Sequence, residues 1–276
     1  MNAKTSKISY PAIHTFDFSI KYNETDRRTH VREIDLHAHR ECEIYVNLSG
    51  DVSFMVGNRL YPLRRGDVIV ARPGEYHHCV YHSDAPHALY WILFDTSGNE
   101  ALLAPLFERL RAHGNLICPE SEDREQLLLL CERLLHTPPS PLRRYALFFE
   151  LLSIIETSHH GTEHTEPALP ADLITVLDHI DAHISEPLTL GELSRITYTT
   201  PSTLERRFSK HLGMPVSIFI RRRRMSVAVR LLEQGYSVLA AGEAVGYTDN
   251  SHFIKRFGEY CGMTPLQYKK AYGDKK

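Results

Sequence analysis

A pattern of 17 residues occurs twice near the carboxyl end of this 276-residue chain, and no other feature constrains the fold as tightly. Tyr198 to Met214 reads YTTPSTLERRFSKHLGM and Tyr247 to Met263 reads YTDNSHFIKRFGEYCGM, with seven identities at an offset of 49. A repeat of this length is a supersecondary unit used twice. Each copy is written as a short helix, a tight turn and a second helix that carries basic residues and ends at glycine, the grammar of a helix-turn-helix.

Local signals place the helix ends. Thr189 with Glu192 forms a capping box that starts one helix near Leu190, and Thr200 with Pro201 starts the next, which Gly213 stops. Leu204, Phe208 and Leu212 share one face of that helix and leave Ser202, Glu205, Arg206 and Ser209 on another. In the second copy Ser237 is the cap, Gly246 the turn, and Phe253 and Phe257 the packing pair. Ser251, Ile254, Lys255 and Gly258 face outward there, with Asn250 and His252 at the leading turn. Between the copies, Val216 to Leu232 reads as one helix of about 25 Å, long enough to hold two recognition helices near the 34 Å repeat of B-DNA.

These residues, above all the run AVGYTDNSHFIKRFGEYCGMTPLQYKK, resemble the signature of AraC/XylS-type transcription regulators across Leu173 to Tyr268. The resemblance implies a sequence-specific DNA-binding regulator whose partners are double-stranded promoter DNA and RNA polymerase. The first copy departs from it by placing Tyr198 where the turn glycine belongs. The candidate DNA-contacting residues are Ser202, Thr203, Glu205, Arg206 and Arg207 in the first copy, Asn250, Ser251, His252, Lys255 and Arg256 in the second, and Arg221 and Arg222 between them. Arg206 and Lys255 are repeat equivalents: arginine can give guanine two bonds, whereas lysine offers a single point of contact. Glu205 suits a cytosine amine and Ile254 a thymine methyl, so the two halves are expected to prefer different bases. In the run Arg221 to Arg224 the charges spread round the helix, and by resemblance Arg224 pairs with an acidic residue while Arg221 and Arg222 meet phosphate.

The net charge of −2 conceals a split. Residues 171–276 hold 15 Lys plus Arg against 11 Asp plus Glu, and residues 1–170 hold 17 against 23. The basic excess sits where phosphate contacts require it. A length of 276 residues predicts two domains. No 18-residue apolar run and no apolar signal core occur, so no membrane association and a cytoplasmic location are expected. Five cysteines at unpaired spacings argue for free thiols.

From Val31 to Asp95 the period is two. Glu43 to Leu48, Val52 to Val56, Arg59 to Leu63, Asp67 to Ala71, Cys79 to His82 and Ala88 to Phe94 are short β-branched or aromatic runs that predict an antiparallel barrel or sandwich. Within them, His37-x-His39-x3-Glu43-x6-Gly50, then Gly66-Asp67 and Pro73-Gly74-x2-His77, resembles both motifs of the cupin barrel. Val31 stands where the first motif opens on glycine. The segment is also similar to the ligand-binding half of AraC-type regulators, down to Tyr90-Trp91. His37, His39, Glu43 and His77 are a set that could hold a divalent metal in an open-sided site. The resemblance to regulators implies instead that, with Trp91, they line a pocket for a small polar effector such as a sugar, without metal or other cofactor. No catalytic residues are assigned, and a cupin metalloenzyme with a helical appendage is the rival reading.

Ala101 to His113, Glu122 to Leu135 and Pro141 to Ser158 are helical by spacing. The apolar face of Leu142, Tyr145, Phe149, Leu152 and Ile155 suits either burial against the barrel or a dimer contact. Ser158 to Pro170 reads as a linker, and Ala171 to Ile184 as the first helix beyond it. Arg27, Arg28 and His30 read as a solvated approach to the first strand. The expected architecture is a two-domain α+β chain: residues 1–100 a cupin-like antiparallel β-barrel that binds the effector, 101–157 a helical dimerisation region, 158–170 a linker, and 171–276 an all-α domain with two helix-turn-helix motifs. The expected function is a homodimeric, effector-controlled activator. A repressor built from these parts would read DNA with the same residues.

Overall fold

The structure, a computed structural model, describes residues 14, 16–25, 37–136, 140–158 and 169–273. The predicted approach residues Arg27, Arg28 and His30, the motif position Val31 and most of the 158–170 linker lie outside that set.

The first half forms strands β1 (Phe18–Thr25), β2 (Cys42–Ser49), β3 (Val52–Val56), β4 (Arg59–Pro62), β5 (Val68–Ala71), β6 (His77–Tyr81), β7 (His87–Phe94) and β8 (Leu116–Ile117), with β2 to β7 in the stretch of period two. They form an antiparallel sheet in the order β1-β7-β2-β5-β8 and a second in the order β4-β3-β6. Successive side chains on a strand point to opposite faces, and here each face has its own core. Tyr45, Ile69 and Leu89 from the larger sheet meet Phe54, Val56 and Cys79 from the smaller one, filling the space between them. Ile44, Val46, Val70, Ile92 and Phe94 turn the other way, under the helices α1 (Glu100–His113), α2 (Ser121–His136) and α3 (Pro141–Thr157). β1 had no clear signal in the sequence. It pairs along its whole length with β7, and Phe18 stacks on Phe148 of α3 at 4.4 Å.

The broad apolar face of α3 is largely consumed by this packing: Leu147, Phe148, Leu151, Leu152 and Ile155 are buried. Burial against the sheet thus accounts for most of it, while Leu142 remains 85% exposed.

The second half is helical: α4 (Ala171–Ala182), α5 (Leu190–Ile196), α6 (Pro201–Leu212), α7 (Val216–Glu233), α8 (Val238–Ala244), α9 (Asn250–Cys261) and α10 (Pro265–Tyr272). Thr189 and Glu192 make the expected capping box, Thr200 caps α6 with Pro201 inside it, Ser237 caps α8, and Gly213 and Gly262 close α6 and α9 in left-handed backbone. The helices α5–α6 and α8–α9 are the two helix-turn-helix units. The turns differ by one residue, because α5 and α8 start 48 apart whereas α6 and α9 start 49 apart. Both turns use the same device. The amides of Tyr198 and Thr199 bond to Arg195 and Ser194, as those of Gly246 and Tyr247 bond to Glu243 and Gly242, the paired bonds of a Schellman ending. Its left-handed position falls on Gly246 (φ 81°) in one copy and on Tyr198 (φ 52°) in the other.

The two halves share a core. Met55, Leu60, Tyr76 and Val80, on or beside the outer face of the smaller sheet, pack with Leu173, Leu177, Phe208, Leu212 and Phe219 of α4, α6 and α7. The polar rim of that contact is also specific: Asn58 donates to Asp178 and Asp181, Arg223 donates to Asp181 at 2.6 Å, and its guanidinium lies 3.8 Å from the centre of the Tyr76 ring.

Candidate functional site

Each recognition helix is fixed by the apolar face that the sequence supplies. Leu204, Phe208 and Leu212 are buried under α6, and Phe253 and Phe257 under α9. The opposite faces meet solvent: Ser202 and Arg206 on α6, and Asn250, Ser251, His252 and Lys255 on α9, are exposed, with Thr203 and Glu205 half-buried beside them. Thr203 also gives its amide to the Thr200 cap, and Asp249 accepts from the amides of Ser251 and His252, so both helix starts are held firmly.

The arginines divide by what they touch. Arg207 donates to Asp172 of α4 at 2.8 Å, which ties α6 into its own domain and takes this side chain out of the outward set. Its repeat equivalent Arg256 instead donates to His252 Nε2 at 3.1 Å and to Glu259 at 2.8 Å, and stays on the α9 surface. The residue pairing with a carboxylate in the central run is Arg223, with Asp181, rather than Arg224. Arg224 spans from α7 to the end of the α4 region, donating to the carbonyls of Ile184 and Glu186. Arg222 is half-buried near Tyr260, and burial pulls its pKa down. Arg221, Arg224, His252 and Arg256 line one open cleft of about 300 Å³ between α7 and the second helix-turn-helix, with Tyr247 at its wall. Sequence spacing alone did not join these residues, because α7 and α9 meet only after folding.

The second site lies between the sheets. Glu43 on β2 and His77 on β6 are buried, and His37 forms a backbone bridge to His77. One Glu43 carboxylate oxygen, Oε2, is 3.0 Å from His39 Nε2 and 3.2 Å from His77 Nε2. The rings of His37, His39 and His77 lie 4.4 to 5.4 Å apart, centre to centre. Burial works against a charged Glu43, but His77 and the contacts of both imidazoles outweigh it and hold the carboxyl well below its usual range. Burial likewise works against a charged His77, and Glu43 overcomes it and raises the pKa. Burial and the neighbouring His77 push His37 down to about 3.

The four residues thus come together, as the resemblance to the cupin motifs implied. Trp91 joins His37 and Glu43 around a small cavity of about 50 Å³, where Tyr45, Phe54, Leu89 and Asn23 complete the described lining. Trp91 Nε1 is buried without a hydrogen-bond partner among the described residues. Tyr90, in contrast, faces the other core and packs near Tyr22 at 5.7 Å. Tyr45 was missed, although its place two residues beyond Glu43 on a strand already put it on the same face.

Two repeated helix-turn-helix units on one chain, joined to a β-domain with a small interior cavity that His37 and Glu43 help line, are the parts of a ligand-binding DNA regulator. The comparisons agree with that class. Residues 24–152 match the AraC-like ligand binding domain and residues 193–271 a helix-turn-helix domain model. The chain therefore belongs to the AraC-type regulators, with an N-terminal ligand-binding domain and a C-terminal helix-turn-helix region. It is 25% identical over 262 residues to the HTH-type transcriptional regulator YfiF of Bacillus subtilis, covering 87% of this chain and 80% of that protein. It is 30% identical over 95 residues to the regulatory protein PocR of Salmonella typhimurium, covering 34% of this chain and 31% of that one. Among solved structures, the C-terminal domain of the response regulator yesN from Fusobacterium nucleatum matches at 28% identity, covering 34% of this chain and 94% of that one, with a TM-score of 0.33. No helix among the described residues is long and apolar enough to cross a membrane.

Proposed function

We propose that this chain is an effector-controlled transcription activator that reads two successive major grooves with α6 and α9. The observation that carries this reading is the pair of equivalent helices whose inner faces are buried and whose outer faces stay open. An α7 of 18 residues links the two units and spans about 27 Å. Ser202, Thr203, Glu205 and Arg206 would meet one groove, and Asn250, Ser251, His252 and Lys255 the next. The cleft of Arg221, Arg224 and Arg256 would seat a backbone phosphate. Arg222, half-buried near Tyr260, and Arg207, bound to Asp172, are not among the residues lining that cleft.

The effector would enter the space between the sheets, where His37, His39, Glu43, His77 and Trp91 supply polar contacts. At about 50 Å³ this cavity is far smaller than the roughly 300 Å³ or more of ordinary ligand sites. A sugar would need its lining to open, whereas an ion or a ligand of a few atoms would not. A cytoplasmic homodimer acting on RNA polymerase completes the reading, with exposed Leu129 and Leu142 on α2 and α3 as the apolar contact.

Selection of duplexes from a random pool by the full-length chain tests the core of this proposal. Enriched sequences should show two unlike half-motifs about one helical turn apart. Recovery of no motif at physiological salt would remove the regulator reading, and a single symmetric motif would remove the two-helix one.

A further inference from the structure

We propose that Tyr198 is a DNA-contacting residue whose phenol hydroxyl donates to a backbone phosphate beside the groove that α6 reads. This rests on the reading of α6 as a recognition helix and adds a contact from outside that helix.

The two copies of the repeat treat this tyrosine differently. By sequence, Tyr198 answers Tyr247 at the offset of 49. By backbone it answers Gly246, since the turn of the first copy is one residue shorter and its left-handed position falls on Tyr198. The shorter turn decides where the ring goes. Tyr247, one position past the left-handed glycine, folds back over its own unit, with its ring 5.6 Å from Phe253, 5.5 Å from His252 and 6.0 Å from the Arg224 guanidinium. At Gly246 itself an added Cβ would run into the Ser185 carbonyl oxygen, so the second copy has no room for a side chain there. The first copy has the room and fills it with a tyrosine that is 97% exposed, more than any other large apolar or aromatic side chain among the described residues.

Stability does not explain that choice. The ring is bare, so packing contributes nothing, and glycine takes a φ of 52° with less strain than tyrosine. Residues held in sparsely populated backbone regions cluster where function needs them. The turn is nevertheless firm. The amides of Tyr198 and Thr199 bond to the carbonyls of Arg195 and Ser194, and Thr197 Oγ1 lies 2.8 Å from Thr199 Oγ1. A fixed backbone thus presents a free ring.

Its place suits phosphate. Tyr198 stands two residues before the Thr200 cap and three before Pro201, where α6 begins. Thr200, Pro201 and Ser202, next along the chain, are exposed and lead into the outward face of α6. A helix-turn-helix sets the first residues of its second helix on base edges while its first helix crosses the backbone, so the turn between them passes over the rim of the groove. A phosphodiester oxygen can only accept, and tyrosine is among the neutral side chains that donate to it.

Anisotropy of the full chain with a duplex it has itself enriched tests the contact. Tyr198→Phe should weaken binding by about tenfold, equally for every enriched sequence. The slope of affinity against salt should stay unchanged, because no charge is removed. Tyr198→Gly should lose at least as much affinity while unfolding at a higher urea concentration. Methylphosphonate placed at single linkages flanking the α6 half-motif locates the partner: at one linkage the wild-type chain should fall to the affinity of Tyr198→Phe, and Tyr198→Phe should lose nothing further. A loss confined to certain base sequences, or the absence of any such linkage, would overturn the contact. A random pool from which no duplex is enriched would overturn the regulator reading and this contact with it, whereas an enriched duplex bound equally well by wild type and Tyr198→Phe would overturn the contact alone.

Discussion

Two residues show how a repeated sequence is bent to unequal local demands. Tyr198 occupies the left-handed position that Gly246 fills in the other copy, and its ring is 97% exposed, so no packing offsets the strain. Left-handed backbone costs an L-residue about 1 kcal/mol, and Tyr198→Gly is expected to raise the stability of the full chain by about that amount in urea titration. The reverse holds at Gly246, where an added Cβ would meet the Ser185 carbonyl oxygen at 2.6 Å as well as the Arg224 guanidinium. Gly246→Ala should therefore cost about 2 kcal/mol, since the turn must open. Arg206 and Arg207 differ in kind despite being neighbours. Arg206→Ala is expected to cost about 1–3 kcal/mol of DNA binding at one base position. Arg207→Ala should leave base preference intact and instead lower the melting temperature, because it strands Asp172 on α4.

At the scale of elements, amphipathic spacing did most of the work and local caps did the rest. The boundaries of α6 and α9 follow from residues within one turn of their ends: Thr200, Pro201 and Gly213, or Asp249 and Gly262. β1 was not legible, because Phe18 to Thr25 alternates weakly and acquires its meaning from pairing with β7. For α3 the sequence left burial and dimerisation open, since an apolar face does not say what covers it. The fold covers Phe148, Leu151 and Ile155 and leaves Leu142 and Leu129 outside. If these two make the subunit contact, Leu129→Glu with Leu142→Glu should convert a dimer to a monomer in sedimentation, with secondary structure unchanged. A variant that stays dimeric would place the contact elsewhere.

Across the whole molecule, the shared core makes the stability of each half depend on the other. Tyr76 is buried between the halves, under the Arg223 guanidinium and beside Asn58. Tyr76→Ala should cost about 3 kcal/mol of full-chain stability, and a chain starting at Ala171 should melt below the full chain because its Leu173, Phe208 and Leu212 lose the cover of Met55 and Val80. The sequence by itself determined what local chemistry can write: the duplicated helix-turn-helix, the caps, the strand alternation, and the histidines and glutamate set at motif spacing. Only the tertiary structure decided which arginines point outward, that Arg223 rather than Arg224 meets a carboxylate, how small the space between the sheets is, and that β6 touches both the pocket and α6. These depend on surfaces brought together from residues 34 to 134 positions apart, and neither helical period nor strand period encodes which distant partner a face will find.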